Sequence, residues 1–321
     1  MQVTVRDILS ARAVLRRHIS STPLYRHPLL SARLGFDAYV KHENHLPIGA
    51  FKVRGGMTLF ANMGERELKH GVVAATRGNH GLSLAFAARH FGSRCVIYVP
   101  RGNNPEKNAL MQAYGAEVVE FGRDFDDARL EAEARAHSER LRFVHPANEP
   151  LLIAGVGTMA VEVAEQLPEL DVILVPMGSG SCASGTLVAM RALLPHVRVI
   201  GVQAERAPAL ARSLAAGKPV TTDTADTFAG GLATRFAYDL PFSLLNGRLD
   251  EVVLVSEEEM REGVREALET THNVAEGAAA AAYAAARKLR PQLAGKRVVI
   301  VHTGQNTDRN TLRWALGMFD A

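Results

Sequence analysis

Short runs of β-branched and apolar residues recur along the chain and alternate with longer stretches of helical spacing. The pattern predicts strands at Ala38–Glu43, Val72–Thr76, Cys95–Val99, Glu117–Phe121, Phe143–His145, Val172–Pro176, Val197–Gln203, Glu251–Val255 and Val298–His302. Most of these runs are apolar at nearly every position rather than at every second one, as in strands covered on both faces. Helices are predicted between them. Gly81–Phe91 follows a strand directly, Glu106–Tyr114 begins just after Pro105, and Asp126–Leu141 is a charged surface helix. Ser256 and Glu259 have the spacing of a capping box before a helix that runs to about Thr270. Glu276–Leu289 is alanine-rich, acidic at its start and basic at its end, which suits the helix dipole. Strands alternating with helices give an α/β fold with mostly parallel sheets. No repeat or low-complexity linker marks a domain boundary.

Composition narrows the class. A chain of 321 residues is long enough for two domains, and 47% hydrophobic with 22% charged residues is an ordinary globular balance. The net charge of +3 is scattered, without the basic runs that nucleic acid would call for. No apolar stretch approaches the roughly 20 residues of a membrane span. The first residues lack a signal-peptide core. Two cysteines, Cys95 and Cys182, cannot build a disulfide framework, so a cytoplasmic setting is expected. Twelve histidines invite a metal reading, but no HExxH or Cys/His spacing supports one. The metal content is left open.

Four segments carry candidate chemistry. In Gly49-Ala50-Phe51-Lys52-Val53-Arg54-Gly55-Gly56, a lysine stands at a loop-to-helix junction between apolar and glycine residues. Burial there favours a neutral amine, the nucleophile for a Schiff base, although a surface lysine at a helix start has the same local look. Thr76-Arg77-Gly78-Asn79-His80-Gly81 lies between a strand and a helix, where N–H groups and a hydroxyl can hold a carboxylate; it also reads as a plain Asn/Gly turn. Gly178-Ser179-Gly180-Ser181-Cys182-Ala183-Ser184-Gly185 follows the strand Val172–Pro176 and suits a phosphate. It is also a variant dinucleotide fingerprint, with Glu205 after the next strand as a ribose ligand, or a tight βα turn. Val301-His302-Thr303-Gly304-Gln305-Asn306 puts a hydroxyl where the last strand ends, the usual ligand position of open α/β sheets, or is a C-terminal turn.

Together and in this order, the four segments resemble the fold-type II pyridoxal-phosphate (PLP) enzymes, and within them the serine/threonine dehydratase branch. The resemblance runs from about Ala11 to Leu316, and its most specific element is Ala50-Phe51-Lys52-Val53-Arg54-Gly55. It implies that Lys52 holds PLP covalently, Phe51 lines the cofactor and Asn79 bonds its 3-oxygen. Thr76, Arg77, Gly78 and His80 then lie in the substrate-carboxylate loop. Gly178, Ser179, Gly180, Ser181 and Cys182 match the phosphate loop, Thr303 faces the pyridine nitrogen, and Glu276 lies near the ring. It also implies a small domain of residues 45–145 against a large one of residues 1–44 plus 146–321, with PLP in the cleft, and a homodimer.

Departures from the family pattern carry information. Ser179, Ser181 and Cys182 replace glycines, and Ala50 replaces a serine. Arg77 stands where racemases of the family carry a serine acid/base; a guanidinium of pKa above 12 is a poor base, which argues against racemisation. Arg77 then either pairs with protein or meets an extra acidic group on the substrate. The chain ends soon after Thr303, where biosynthetic relatives carry a regulatory domain, so a catabolic role is expected.

The implied reaction is loss of water and ammonia from a β-hydroxy amino acid, with Lys52 removing the α-proton. The neutral Thr303 hydroxyl favours elimination over transamination. Threonine, serine, 3-hydroxyaspartate, phenylserine and hydroxyectoine-derived intermediates all fit as substrates, and Gly230, Gly231 and Arg235 within Phe228–Phe236 are placed to shape the pocket. The alternatives are β-replacement or racemisation with PLP, a nicotinamide-dependent dehydrogenase on the Gly178 loop, and a non-catalytic binding protein.

Overall fold

The computed structural model describes residues 3–123 and 125–318, apart from the side chain of residue 126. Ten strands form two sheets among these residues. They are β1 (Leu24–Arg26), β2 (Asp37–His42), β3 (Val72–Ala75), β4 (Cys95–Val99), β5 (Glu117–Glu120), β6 (Arg142–Phe143), β7 (Val172–Pro176), β8 (Arg198–Ala204), β9 (Glu251–Val255) and β10 (Arg297–His302). The larger sheet has the order β1-β2-β10-β7-β8-β9, and the smaller β5-β4-β3-β6. Every pairing is parallel except β1 against β2. The apolar runs explain this arrangement: β3, β4 and β7 are buried at every position, as parallel strands with helices on both faces must be. The α/β class with parallel-rich sheets therefore holds.

Several expected strand ends shift by one or two residues, and two of the shifts have a visible cause. β6 is Arg142–Phe143 rather than Phe143–His145, because the His145 Nδ1 turns back to accept from the N–H groups of Ala147 and Asn148. β3 stops at Ala75, and the Thr76 hydroxyl instead accepts from the Gly78 N–H in a local turn. The capping box at Ser256 and Glu259 is present. No described helix is long and apolar enough to cross a membrane.

Parallel strands put their C-terminal ends on one edge, and connections leaving that edge build the ligand site. β7 leads into the loop before the helix Ser181–Leu193, β10 into Thr303, and β3 into the helix Asn79–Phe91. Three helices are packed backbone to backbone around this edge: Val53–Ala61, Pro150–Gln166 and Ser181–Leu193. Glycines permit the approach. A Cβ on Gly155 would lie 2.5 Å from the Arg54 carbonyl oxygen, and one on Gly185 would lie 2.7 Å from the Gly157 nitrogen. The helix that starts after Lys52 and the helix that starts at Ser181 are thus both held against Pro150–Gln166, which lies between them in the packing. We expect Gly155→Ala to destabilise the fold by about 1–3 kcal/mol, since the atom it meets is backbone and cannot swing aside. A thermal melt unchanged from wild type would contradict this.

Candidate active site

Lys52 is the residue before the helix Val53–Ala61, and its backbone is tied on both sides. The Phe51 N–H donates to the Thr303 carbonyl at 3.0 Å, beside an antiparallel bridge between Ala50 and Gly304. The Ser83 hydroxyl donates to the Lys52 carbonyl at 2.6 Å. The amine donates to Ser181 Oγ at 3.2 Å and lies 5.3 Å from the centre of the Phe51 ring. Burial lowers its pKa to about 8, although the Cys182 side chain works the other way. A reactive neutral fraction is therefore available near neutral pH.

The amine opens into a cavity of about 300 Å³. Each predicted site residue lines it: Phe51 and Lys52, Thr76 to His80, Gly178 to Cys182, and Thr303. Residues 49–56, 76–81, 178–185 and 301–306 thus meet although they lie far apart in the chain.

The strand-to-helix loops present their donors differently. The Gly78 N–H is engaged by Thr76 Oγ1, so the free N–H groups belong to the first turn of the helix Asn79–Phe91. His80 Nε2 donates to the Val144 carbonyl at 3.1 Å, and burial, helped by the nearby Lys52 charge, lowers its pKa to about 3. His80 is neutral at working pH and adds no positive charge. In the other loop, Gly180 has φ +94°, a backbone that glycine adopts without strain. Gly178 is required by packing: a Cβ there would lie 2.1 Å from the Gly231 carbonyl oxygen. Cys182 is buried, which pushes its thiol up to about 12 and keeps it neutral.

Asn79 is held from both sides. Its Nδ2 donates to Glu276 Oε1 at 2.8 Å, and its Oδ1 accepts from Asn306 Nδ2 at 2.8 Å. One N–H of the amide is left for a ligand. Glu276 is the N-cap of the helix Gly277–Lys288; burial raises its pKa, while the Lys107 charge and the Asn79 bond pull it down.

Two readings of the sequence change. Glu205 does not line the cavity; its carboxylate lies 3.7 Å from Lys288 Nζ, which removes the ribose ligand from the dinucleotide reading. Arg77 has no hydrogen bond or ion pair among the described residues, so the expectation that it pairs with protein is not met. Ser83 and Lys107 lie outside the four candidate segments, and Asn306 lies in the fourth without a role of its own. Each is one ordinary polar residue in a helix or loop, and only the tertiary fold gives it a partner at the site.

The donor set fits PLP. Lys52 supplies a primary amine, and the helix Ser181–Leu193 directs first-turn N–H groups beside it, as a phosphate requires. Thr303 Oγ1 is buried, lines the cavity and has no partner among the described residues, which suits a ring nitrogen.

The comparisons agree with this geometry. The chain is 38% identical over 310 residues to an L-threonine ammonia-lyase of Thermotoga maritima, covering 97% of this chain and 77% of that one. Its fold matches the processed form of threonine deaminase isoform 2 from Solanum lycopersicum, with a TM-score of 0.92, 27% identity and coverage of 99% and 92%. It also matches maize serine racemase, with a TM-score of 0.92, 26% identity and coverage of 99% and 98%. The family model described as pyridoxal-phosphate dependent enzyme spans residues 15–304, and the chain belongs to that family.

Proposed function

We propose that this chain is a PLP-dependent ammonia-lyase that converts a β-hydroxy amino acid to a 2-oxo acid and ammonia. The observation that carries the reading is the joining of Lys52, Ser181 and the unpartnered Thr303 hydroxyl at one cavity. The similarity to a threonine ammonia-lyase over 97% of the chain supports it. Bound PLP supplies the electron sink that makes the substrate α-proton removable.

The chain's own residues do the rest. Lys52 Nζ, held at the cavity, would take the α-proton of a bound substrate without diffusing to it. Its pKa of about 8 suits a base working near neutral pH. The first-turn N–H groups after Gly78 receive the α-carboxylate, and the Asn79 amide directs its remaining N–H into the cavity. The neutral Thr303 hydroxyl would hold the pyridine nitrogen of bound PLP, which would limit charge in the ring and favour loss of the β-hydroxyl. Phe51, Phe236 and Tyr238 line the cavity with aromatic surface. Racemisation needs a second acid/base, and Arg77 does not supply one.

In this reading residues 45–145 form the smaller domain and residues 1–44 plus 146–321 the larger. The smaller sheet, built entirely from β3 to β6, supports that division.

The test is a screen of the PLP-loaded protein with L-threonine, L-serine, 3-hydroxyaspartate and phenylserine. We expect 2-oxo acid and ammonia in a one-to-one ratio from at least one of them. D-amino acid or a thiol-dependent product without 2-oxo acid would replace this reading by racemisation or β-replacement.

A further inference from the structure

The cavity wall carries more positive charge than the chemistry above consumes. Besides Lys52, its cations are Arg77, Lys107 and Arg235, and among the described residues its only carboxylate is Glu276. Lys107 is accounted for: its charge acts on Glu276, and its stem lies over Gly78, where a Cβ would come 3.0 Å from Lys107 Cδ. Arg77 and Arg235 have no carboxylate partner among the described residues.

Arg235 is also held in place. Its Nε donates to the Thr222 carbonyl at 3.1 Å, and its own carbonyl accepts from the Thr222 N–H at 3.0 Å. An antiparallel bridge between Thr221 and Phe236 continues this short ladder, and the guanidinium lies 5.7 Å from the centre of the Phe236 ring. Its terminal nitrogens keep their donors for a ligand. Arg77 comes from the other sheet, on the loop after β3; it is exposed and lines the same cavity. A guanidinium has the donor geometry for a carboxylate, and a methyl or hydrogen on the substrate's β-carbon would leave both charges unanswered.

We propose that Arg77 and Arg235 form a subsite for a second carboxylate, borne on the substrate's β-carbon, which makes the substrate an acidic β-hydroxy amino acid. This rests on the lyase reading above. For 3-hydroxyaspartate the balance closes. Lys52 takes the α-proton, the β-carbon–oxygen bond breaks, and hydroxide leaves with a proton as water. The resulting enamine takes up water, giving the four-carbon 2-oxo diacid and ammonia, with no net oxidation and the second carboxylate unchanged. Both guanidiniums offset its charge throughout, and their selectivity weakens with added salt because exposed charges are screened.

The experiment compares kcat/KM of the PLP-loaded enzyme for 3-hydroxyaspartate, L-threonine, phenylserine and O-phospho-L-serine, and repeats it with Arg77→Gln and Arg235→Gln. Binding is read separately from the cofactor's absorbance change on adding L-aspartate or L-2-aminobutyrate, neither of which carries a β-hydroxyl. We expect 3-hydroxyaspartate to exceed threonine by roughly tenfold or more, as a charge-assisted pair implies. We expect each variant to reduce that ratio at least tenfold, and L-aspartate to bind more tightly than L-2-aminobutyrate in the wild type alone. Preference for threonine or phenylserine overturns the subsite while leaving the lyase reading intact. Preference for O-phospho-L-serine overturns the carboxylate assignment. Absence of 2-oxo acid from all four substrates, together with D-amino acid or a thiol-dependent product, overturns the lyase reading instead; the aspartate titration then still decides the subsite.

Discussion

Lys52→Ala is expected to reduce 2-oxo acid release by at least about 10³-fold, because the variant loses both the general base and the covalent anchor for PLP. Protein incubated with PLP and then dialysed should lose the cofactor's absorbance, while wild type keeps it. The melt should move by no more than about 1 kcal/mol, since the amine's one hydrogen bond is to Ser181 and its charged form is penalised by burial. A variant that is both inactive and unfolded would not test the assignment; Lys52→Arg, which keeps a long cation but cannot form the bond, supplies the second measurement. There is also a pH signature. Burial lowers the amine to about 8, so the rate at which PLP reloads the apoprotein should climb with pH and level off above about 8. A lysine in open solvent would still be climbing towards about 10.4. A reloading rate that keeps rising past pH 9 would place Lys52 outside the buried environment described here.

Much of this site was legible in the sequence because its donors sit where strands end. β3, β7 and β10 are dense apolar runs, followed within two residues by Thr76, Gly178 and Thr303, and that change of composition is local. β1 was not legible: three residues, Leu24–Arg26, with two of them exposed, carry no pattern. The helix Pro150–Gln166 was also missed, for the opposite reason. It is buried almost all round, so it shows no polar face and hence no helical period. Ser83 reads as any mid-helix serine until the fold brings its hydroxyl to the Lys52 carbonyl. The freedom of Arg77 was equally out of reach, because whether a surface cation finds a carboxylate depends on side chains distant in sequence.

Arg54→Met is expected to destabilise the protein by about 3–5 kcal/mol, more than the loss of one exposed ion pair could do. Arg54 is 1% exposed and lies between Glu43, which is fully buried, and Glu162. Its Nε and Nη2 donate to Glu43 at 2.6 and 2.8 Å, and its Nη1 and Nη2 to Glu162 at 2.7 and 2.9 Å. Lys41 donates to Glu162 at 2.7 Å and to the Thr22 carbonyl at 2.8 Å. Two cations and two carboxylates balance in a dry site, and removing Arg54 leaves a buried negative charge with half its donors gone. Arg54→Lys should rescue little, because one ammonium cannot bond both carboxylates in the bidentate manner. Acid separates this mechanism from simple loss of packing. Burial by itself raises Glu162, but Arg54 and Lys41 outweigh it and hold the carboxyl at about 2, against about 4.5 in the unfolded chain. A depressed folded pKa contributes stability above the unfolded value and loses it as pH falls towards 2. Wild type should therefore weaken from about pH 4.5 to 2, while the variant, whose excess charge is relieved by protonation, weakens less. The gap between their urea midpoints should narrow across that window; a constant gap would mean that packing, not charge, sets the cost. Since Arg54 lies two residues after Lys52 at the start of the same helix, PLP content should fall with stability, and stoichiometric loading of a destabilised Arg54→Met protein would show that the ion network holds the fold without positioning the lysine.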